Sequence, residues 1–291
     1  MPIKEKGYSH WDGEFSPKKL PWWPITRYGI KLSLKKKFFK LAYALALVPA
    51  IVFLVGIYLA ERIEDFSVMM EGGSTLIKVD PALFKTYLTN EFLLFMIIII
   101  LVFAGAGLIS DDLKYNSLQL YFSRPLRKQD YLLGKASVLV GFLLFLTLVP
   151  GLILFFMKLI FSGSLKFFGD FPLLPLSIIG YSIFITVFFS FYTLLLSSIS
   201  KSKRYVIILM VGIYFFSDIL YAIFYNIFPS RSPYFSLFSI KVNLQQLGAA
   251  FFGVKAPQNV PWIYSLIILA GICCLSVAVL FRKVKSVEIV K

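Results

Sequence analysis

The sequence FLLFMIIIILVFAGAGLI, residues 92–109, runs for eighteen residues without a charge. A helix of about 20 apolar residues crosses the hydrocarbon core of a bilayer, which is about 30 Å thick. Five further apolar runs of comparable length occur in the chain. The six predicted membrane spans are Phe39–Ala60, Phe92–Ile109, Leu133–Ile160, Leu173–Ile199, Tyr205–Phe228 and Trp262–Phe281. We expect the third span to be broken at Pro150-Gly151.

The composition agrees with these runs. The chain has 291 residues, of which 58% are hydrophobic and 15% charged, whereas soluble domains carry about 25% charged residues. We therefore predict an all-α membrane protein without a second soluble domain. Residues 1–24 lack the apolar core of a signal peptide, so we expect the first span to act as the insertion signal. The two cysteines are neighbours in the sixth span, which is unsuited to a disulfide between them.

The net charge of +15 follows the predicted topology. Of the 30 lysines and arginines, 22 lie in four segments on one side of the predicted spans: residues 1–40, 111–135, 201–204 and 282–291. Basic residues favour the cytoplasmic side of a membrane protein, so we expect both termini in the cytoplasm and a location in the cell membrane of a bacterium. This arrangement explains the charge without nucleic acid as a partner.

We divide the chain into a cytoplasmic segment with an amphipathic helix (residues 1–38), a six-span domain (39–281) and a cytoplasmic tail (282–291). Residues 25–40 mix apolar and basic side chains, which predicts an interfacial helix whose basic residues face anionic membrane lipid. The alternating apolar pattern of residues 28–34 leaves a strand open. The apolar outer segment Pro229–Pro261 is too short and too polar to cross, and predicts a helix pair that dips into the outer leaflet.

A dense polar insert, Ile109–Lys135, joins the second and third spans and holds three acids and five bases. Asp111 and Asp112 suit the start of a short helix, where the dipole is positive. Spacings of i, i+3 and i+4 predict an apolar face made of Tyr115, Leu118, Tyr121 and Phe122. Pro125 ends this helix and suits the first turn of the next. We name this helix–break–helix insert (residues 109–135) the elbow.

The residues alone leave two interpretations of the elbow open. An exposed amphipathic segment of mixed charge suits docking of a soluble partner. A loop at the lipid edge that only satisfies topology has the same composition.

The elbow resembles the signature of the ABC type-2 permease family, the membrane subunits of ABC exporters. That signature is an acid-rich turn, a leucine-rich strip, Ser-x-Pro, basic residues, and Leu-Gly-Lys at the next span. The matching residues are Asp111, Asp112, Ser117, Leu118, Leu120, Ser123, Pro125, Arg127, Tyr131, Leu133, Gly134 and Lys135. The six spans, the N-terminal segment and the dipping segment extend the resemblance over nearly the whole chain. One departure is Gln119, where the family often has Glu.

The resemblance implies a mechanism. Two permease subunits, identical or different, pair in the membrane, and two copies of a separate ABC ATPase bind beneath them. ATP closes the ATPase pair, and the elbow acts as a coupling helix that transmits the movement to the spans. The implied ATPase-docking residues are Asp111, Asp112, Tyr115, Leu118, Gln119, Tyr121, Ser123, Arg124, Pro125, Arg127 and Lys128.

Nucleotide chemistry is expected on the partner and not on this chain. Gly134-Lys135 is followed by Ala136 instead of Ser or Thr, and Gln129 stands where a phosphate-binding loop needs Gly. We therefore expect no enzyme activity, no cofactor and no metal here, with ATP and Mg bound by the ATPase. His10 is the single histidine, so a catalytic triad or a multi-histidine metal site is not expected.

Asp218 is the one acid deep within a predicted span, where an ionisable group is costly and suggests function. It could gate, relay a proton, or contact a cationic substrate. It could also be a satisfied buried group, either protonated or bonded to Ser217, Tyr214 or Tyr221. Asp218 supports the main rival function, an ATP-independent, proton-coupled carrier or channel. A non-transporting membrane anchor that recruits a soluble partner through the elbow is a third possibility.

Overall fold

The computed structural model describes residues 20–66, 79–122 and 126–284. Across these ranges the chain forms helices and no strand. The α-helices are α1 (Trp23–Leu34), α2 (Lys37–Ala46), α3 (Val48–Phe66), α4 (Pro81–Leu88), α5 (Glu91–Ala104), α6 (Ser110–Lys114), α7 (Ser117–Phe122), α8 (Lys128–Ser162), α9 (Lys166–Asp170), α10 (Leu174–Ile199), α11 (Lys203–Ile227), α12 (Ile240–Phe251) and α13 (Trp262–Lys283). A 3-10 helix, Pro229–Phe238, lies between α11 and α12.

Six helical segments of the described chain are long and apolar enough to cross a membrane. They are Lys37–Glu61, Pro81–Ala104, Lys128–Ser162, Leu174–Ile199, Lys203–Ile227 and Trp262–Lys283. The all-α class and the six spans are thereby confirmed. We call the side where α6 and α7 lie the elbow end and the opposite side the far end.

The predicted N-terminal helix is shorter than expected. It ends at Leu34, and Lys36 adopts an extended conformation before α2 begins. Helix α1 packs on the start of α8, where the Thr26 hydroxyl donates to the Gly134 carbonyl at 3.0 Å. A methyl group on Gly134 would lie 2.9 Å from Ile25, so glycine is what permits this close crossing. The placement of α1 at a membrane surface stays a prediction.

The second span differs from its predicted bounds at both ends. It begins with α4, whose N-terminus is capped by the Asp80 side chain. The Asn90 side chain then caps α5 by accepting hydrogen bonds from the Phe92 and Leu93 amides. It ends at Ala104, before the predicted Ile109. A methyl group on Gly105 would lie 2.3 Å from the Thr193 side chain of α10, so the chain turns here against a neighbouring span.

The predicted break at Pro150 is wrong, because α8 is one continuous helix of 35 residues. A proline has no N–H, so Pro150 leaves the carbonyl of Leu146 without its helical partner. The hydroxyl of Tyr87, on α4, donates to that carbonyl at 3.3 Å. The carbonyl freed by the proline is therefore satisfied from another element, and the helix continues.

Spans two, three and four form the core of the bundle. In their most apolar windows 61%, 56% and 67% of the residues are buried, against 22% in each of spans one, five and six. The long helices α8 and α10 pack together at Gly151, where an added methyl group would lie 2.9 Å from Ile178. Spans one, five and six therefore present most of their apolar surface outward.

A helix pair follows span five, as the sequence predicts. The 3-10 helix packs back along α11, and α12 then begins at Ile240. The two helices form a hairpin with Ser239 at its tip, and the Ser239 hydroxyl contacts the Asp218 carboxylate. Asp218 lies nine residues before the end of α11, which is roughly 14 Å at 1.5 Å per residue. The position of this hairpin in the outer leaflet stays a prediction.

Candidate functional site

The first half of the elbow is two short helices, α6 and α7, separated by Asn116 with a positive φ of 53°. Asparagine is one of the few residues that adopt this left-handed conformation readily. The predicted single apolar face is wrong, because this turn separates its members. Tyr115 is 68% exposed, whereas Leu118 is only 7% exposed. Tyr115 therefore points away from the bundle while Leu118 packs into it.

A buried ion pair fastens the first half of the elbow, helices α6 and α7, to the start of α8, where span three begins. The Asp112 carboxylate accepts a hydrogen bond from the Tyr131 hydroxyl at 2.6 Å and lies 2.7 Å from the Lys135 ammonium. The Lys135 ammonium also lies over the ring of Tyr121, 5.6 Å from its centroid. Burial and the Asp112 charge raise the pKa of Tyr121, so its phenol stays neutral. We name Asp112, Tyr121, Tyr131 and Lys135 the buried joint.

Ser197 of α10 joins the elbow to span four. Its hydroxyl accepts hydrogen bonds from the backbone amides of Ile109 at 3.0 Å and Ser110 at 3.1 Å, and donates to the Ala106 carbonyl at 2.9 Å. The side chain is completely buried. It satisfies backbone donors at the start of α6 that the short helix cannot satisfy internally. No local pattern around Ser197 indicates this role.

Lys36 connects the N-terminal helices to the same region. Its ammonium donates to the Phe103 carbonyl in the last turn of α5 at 2.7 Å, where a cation suits the helix dipole. Burial lowers the pKa of Lys36, the nearby Lys203 charge lowers it further, and Asp111 opposes both. The ends of four elements, α1, α2, α5 and α11, thus meet beside the elbow.

The predicted docking residues that the structure describes fall into three groups by exposure. Tyr115, Gln119 and Arg127 are exposed, as is the neighbouring Leu120. Leu118 is buried, and the partly buried set is Asp111, Asp112, Tyr121 and Lys128. Ser123, Arg124 and Pro125 lie outside the described residues. The elbow therefore offers an exposed surface above residues that attach it to the bundle.

Asp218, the predicted intramembrane acid, has partners other than the expected ones. Its carboxylate accepts a hydrogen bond from the Ser239 hydroxyl and lies 3.3 Å from the Lys241 ammonium. Ser217 instead donates to the carbonyl of Tyr214, within α11. The expectation of a bond to Ser217, Tyr214 or Tyr221 was wrong, because the hairpin tip supplies both partners.

A third charged residue completes this group. The Lys241 ammonium also lies 3.1 Å from the Glu91 carboxylate, so one lysine bridges two acids from two spans. The three side chains line an open depression of about 520 Å³. Its lining residues are Glu91, Asp218, Ile219, Tyr221, Ala222, Lys241, Val242 and Gln245. We name this depression the far-side cleft. The sequence analysis placed Glu91 just before span two and Lys241 in the outer segment after span five, so their approach to Asp218 was missed.

The chain was compared with known protein families. A family model described as "ABC-2 family transporter protein" matches residues 27–285, from within α1 to beyond the end of α13. No curated protein matches the chain at significant similarity.

Proposed function

Because the chain belongs to the ABC-2 transporter family, we propose that it is the permease subunit of an ATP-driven exporter, with a separate ATPase docked on its elbow. The chain is a multi-pass membrane protein with six spans. In this proposal it pairs with a second permease subunit, identical or different, and two ATPase copies bind the pair.

The observation that carries the proposal is the construction of the elbow. Tyr115, Gln119, Leu120 and Arg127 form an exposed surface of aromatic, apolar, amide and basic groups. Tyrosine and arginine are enriched at protein interfaces. A loop that only connected two spans would need no buried attachment, whereas the elbow is attached to α8 and α10 by buried side chains.

The attachments suit the transmission of force. The Asp112–Lys135 ion pair connects the elbow to α8, and the Ser197 hydrogen bonds connect it to α10. These two helices lie in the core, so movement of the elbow moves the spans most tightly packed together. ATP can shift the permease only through contacts that differ between its states, and in this proposal the elbow surface provides them.

The proposal includes the orientation and the site of nucleotide chemistry. The basic residues near the elbow, among them Lys36 and Lys203, support a cytoplasmic elbow end with both termini on that side. ATP and Mg bind to the ATPase subunits, and this chain contributes the membrane path. The proposed location is the cell membrane of a bacterium, and the proposed direction is outward.

The test is co-purification of an ATPase with the tagged chain in mild detergents. The wild type is compared with the double variant Tyr115→Asp/Leu120→Asp, which places charge on the exposed surface without touching the buried joint. Leu165→Asp is the matched control, because Leu120 and Leu165 are both 75% exposed and Leu165 lies at the far end. Vanadate-sensitive ATP hydrolysis and mass spectrometry identify the co-purified subunit.

We expect the wild type and Leu165→Asp to retain the ATPase, and the elbow variant to lose most of it. An elbow variant that keeps the ATPase would refute docking at this surface. A wild type that purifies alone in every detergent would refute the ABC assignment of function. Proton-driven flux abolished by Asp218→Asn would then favour the carrier, and an assembled protein without flux would favour the anchor.

A further inference from the structure

We propose that the far-side cleft is a binding site for an organic cation that carries one ammonium group on an apolar body. As an inference about cargo it rests on the proposed export function, whereas the binding itself can be measured without an ATPase.

Among the described residues that line the cleft, the charges leave one negative charge in excess. Glu91 comes from α5, Asp218 from α11 and Lys241 from α12, so two carboxylates share a single ammonium at 3.1 Å and 3.3 Å. Each ionised carboxylate has about four acceptor sites for hydrogen bonds. The three N–H groups of Lys241 and the Ser239 hydroxyl that donates to Asp218 are together fewer than the acceptor sites of the two acids. A second ammonium suits this arrangement in charge and in hydrogen bonding.

Asp218 is an ionisable residue within a membrane span. Asp218 lies within span five, roughly 14 Å from the end of α11 at 1.5 Å per residue. Ionisable groups at such positions face bundle interiors or water-filled cavities and mark the paths of substrates and ions. The Glu91 side chain is 72% exposed and the Asp218 and Lys241 side chains are 23% and 25% exposed, so these charges border an open cleft and are not enclosed in the bundle core.

The size and the remaining lining of the cleft fit a small organic ligand. Its volume of about 520 Å³ falls in the usual range of roughly 300–1,000 Å³ for small-molecule sites. Ile219, Ala222 and Val242 supply apolar surface, and Tyr221 adds an aromatic ring to the lining, a group that can bind a cation. The Tyr221 hydroxyl accepts a hydrogen bond from the Gln258 side chain at 3.1 Å, which limits the movement of the ring.

Lys241 occupies part of the site and acts as a tethered competitor. Its neighbour Ser239 donates to Asp218 and also accepts from the Val242 amide at 3.0 Å at the start of α12. The hairpin tip is thus positioned so that Lys241 bridges the carboxylates in the unliganded state. A ligand ammonium must share or displace it. Removal of the lysine charge should therefore strengthen binding, a result that a structural ion pair does not predict.

The experiment uses the purified full chain in nanodiscs of phosphatidylcholine. The probe is dansylcadaverine, a fluorescent primary amine with an apolar ring system, and its N-acetylated neutral analogue is the matched control ligand. The variants are Glu91→Gln, Asp218→Asn and Lys241→Met. Asp170→Asn is the matched control variant, because it removes an exposed carboxylate at the far end outside the cleft.

We expect saturable binding of the amine and much weaker binding of its acetylated analogue. A charge-assisted hydrogen bond contributes about 1.5–3 kcal/mol, so Asp218→Asn should weaken binding roughly tenfold or more. Solvent screens the more exposed Glu91, so Glu91→Gln should weaken binding by a smaller factor, roughly two- to fivefold. Lys241→Met should strengthen binding several-fold, and Asp170→Asn should leave it unchanged. Glu91 is 72% exposed, so Glu91→Gln tests the site even where Asp218→Asn lowers stability.

Equal binding of the amine and the acetylated analogue would overturn the proposal, as would wild-type affinity in both carboxylate variants. Absence of binding to the wild type would overturn it as well. A Lys241→Met variant with unchanged or weaker binding would refute the competitor role. None of these results depends on an ATPase, so failure here and failure of the co-purification test are separate outcomes.

Discussion

The buried joint at the elbow end and the far-side cleft use the same chemistry in opposite surroundings. Asp112 and Lys135 lie 2.7 Å apart, with side chains 14% and 10% exposed. Asp218 and Lys241 lie 3.3 Å apart, with side chains 23% and 25% exposed. Lys241 also pairs with Glu91, which is 72% exposed. The first pair is enclosed by two tyrosine rings, and the second borders a cavity.

The difference shows that enclosure decides what an ion pair can do. In the buried joint the Tyr131 hydroxyl and the rings of Tyr121 and Tyr131 surround the pair, so the pair serves to hold the elbow in place. In the far-side cleft the lysine is shared between two acids and water has access, so the partners can exchange. Removal of one partner leaves an uncompensated charge in the first site and a solvated one in the second.

The largest effect should come from Asp112→Ala. It leaves the Lys135 ammonium buried without a carboxylate, which costs about 3–5 kcal/mol for buried pairs. The measurement is the free energy of unfolding in detergent by denaturant titration. The double variant Asp112→Ala/Lys135→Met should recover much of the loss, since an apolar pair avoids the buried charge. If Asp112→Ala lowered the free energy of unfolding by less than about 1 kcal/mol, the joint would contribute no more than a solvent-exposed ion pair does.

A smaller effect should follow from Ser197→Ala. The change removes the acceptor for the Ile109 and Ser110 amides, and buried donors left without a partner cost about 1–3 kcal/mol. Ser198→Ala is a strict control, because Ser198 is equally buried but bonds only the Leu195 carbonyl of its own helix at 2.7 Å. Hydrogen exchange at residues 109 and 110 should accelerate in the first variant. Equal losses in both variants would refute the capping role of Ser197.

The smallest effect on stability should come from Lys241→Met. Both Lys241 pairs border the open cleft, and ion pairs that solvent can reach contribute about 0–1 kcal/mol. Salt screens such pairs over a distance of about 8 Å at physiological ionic strength. We therefore expect a change in unfolding free energy below about 1 kcal/mol, which diminishes further at high salt. The same titration as for Asp112→Ala makes the two sites directly comparable. If Lys241→Met lowered the free energy of unfolding as much as Asp112→Ala does, the ion pairs of the cleft would be structural.

Parts of the elbow could be predicted and parts could not. The positions of Asp111 and Asp112 in the first turn of a helix follow from their charge and the helix dipole. The resemblance to ABC type-2 permeases, which rested on the elbow motif, is confirmed by the family match. The left-handed Asn116 was missed, because the apolar spacing around it fits one helix equally well. The docking role of the elbow residues stays a prediction.

Contacts with distant residues account for the remaining corrections. Helix α8 passes through Pro150 because Tyr87, from another span, bonds the carbonyl that the proline leaves open. Asp218 meets Ser239 and Lys241 because the hairpin after span five folds back along α11. Ser197 has no local pattern that distinguishes it from the other buried serines of α10. In each case the deciding partner lies outside the window in which a periodic pattern can be read.

The sequence by itself determined that this protein is helical, that it has six membrane spans, and which residues form the polar elbow. These properties depend on hydrophobic length and charge order, which add up along neighbouring residues. The tertiary structure decided which spans form the core, which acids meet which lysines, and which pair is enclosed. Those outcomes depend on distances between residues far apart in the chain, and burial and hydrogen bonding act across those distances.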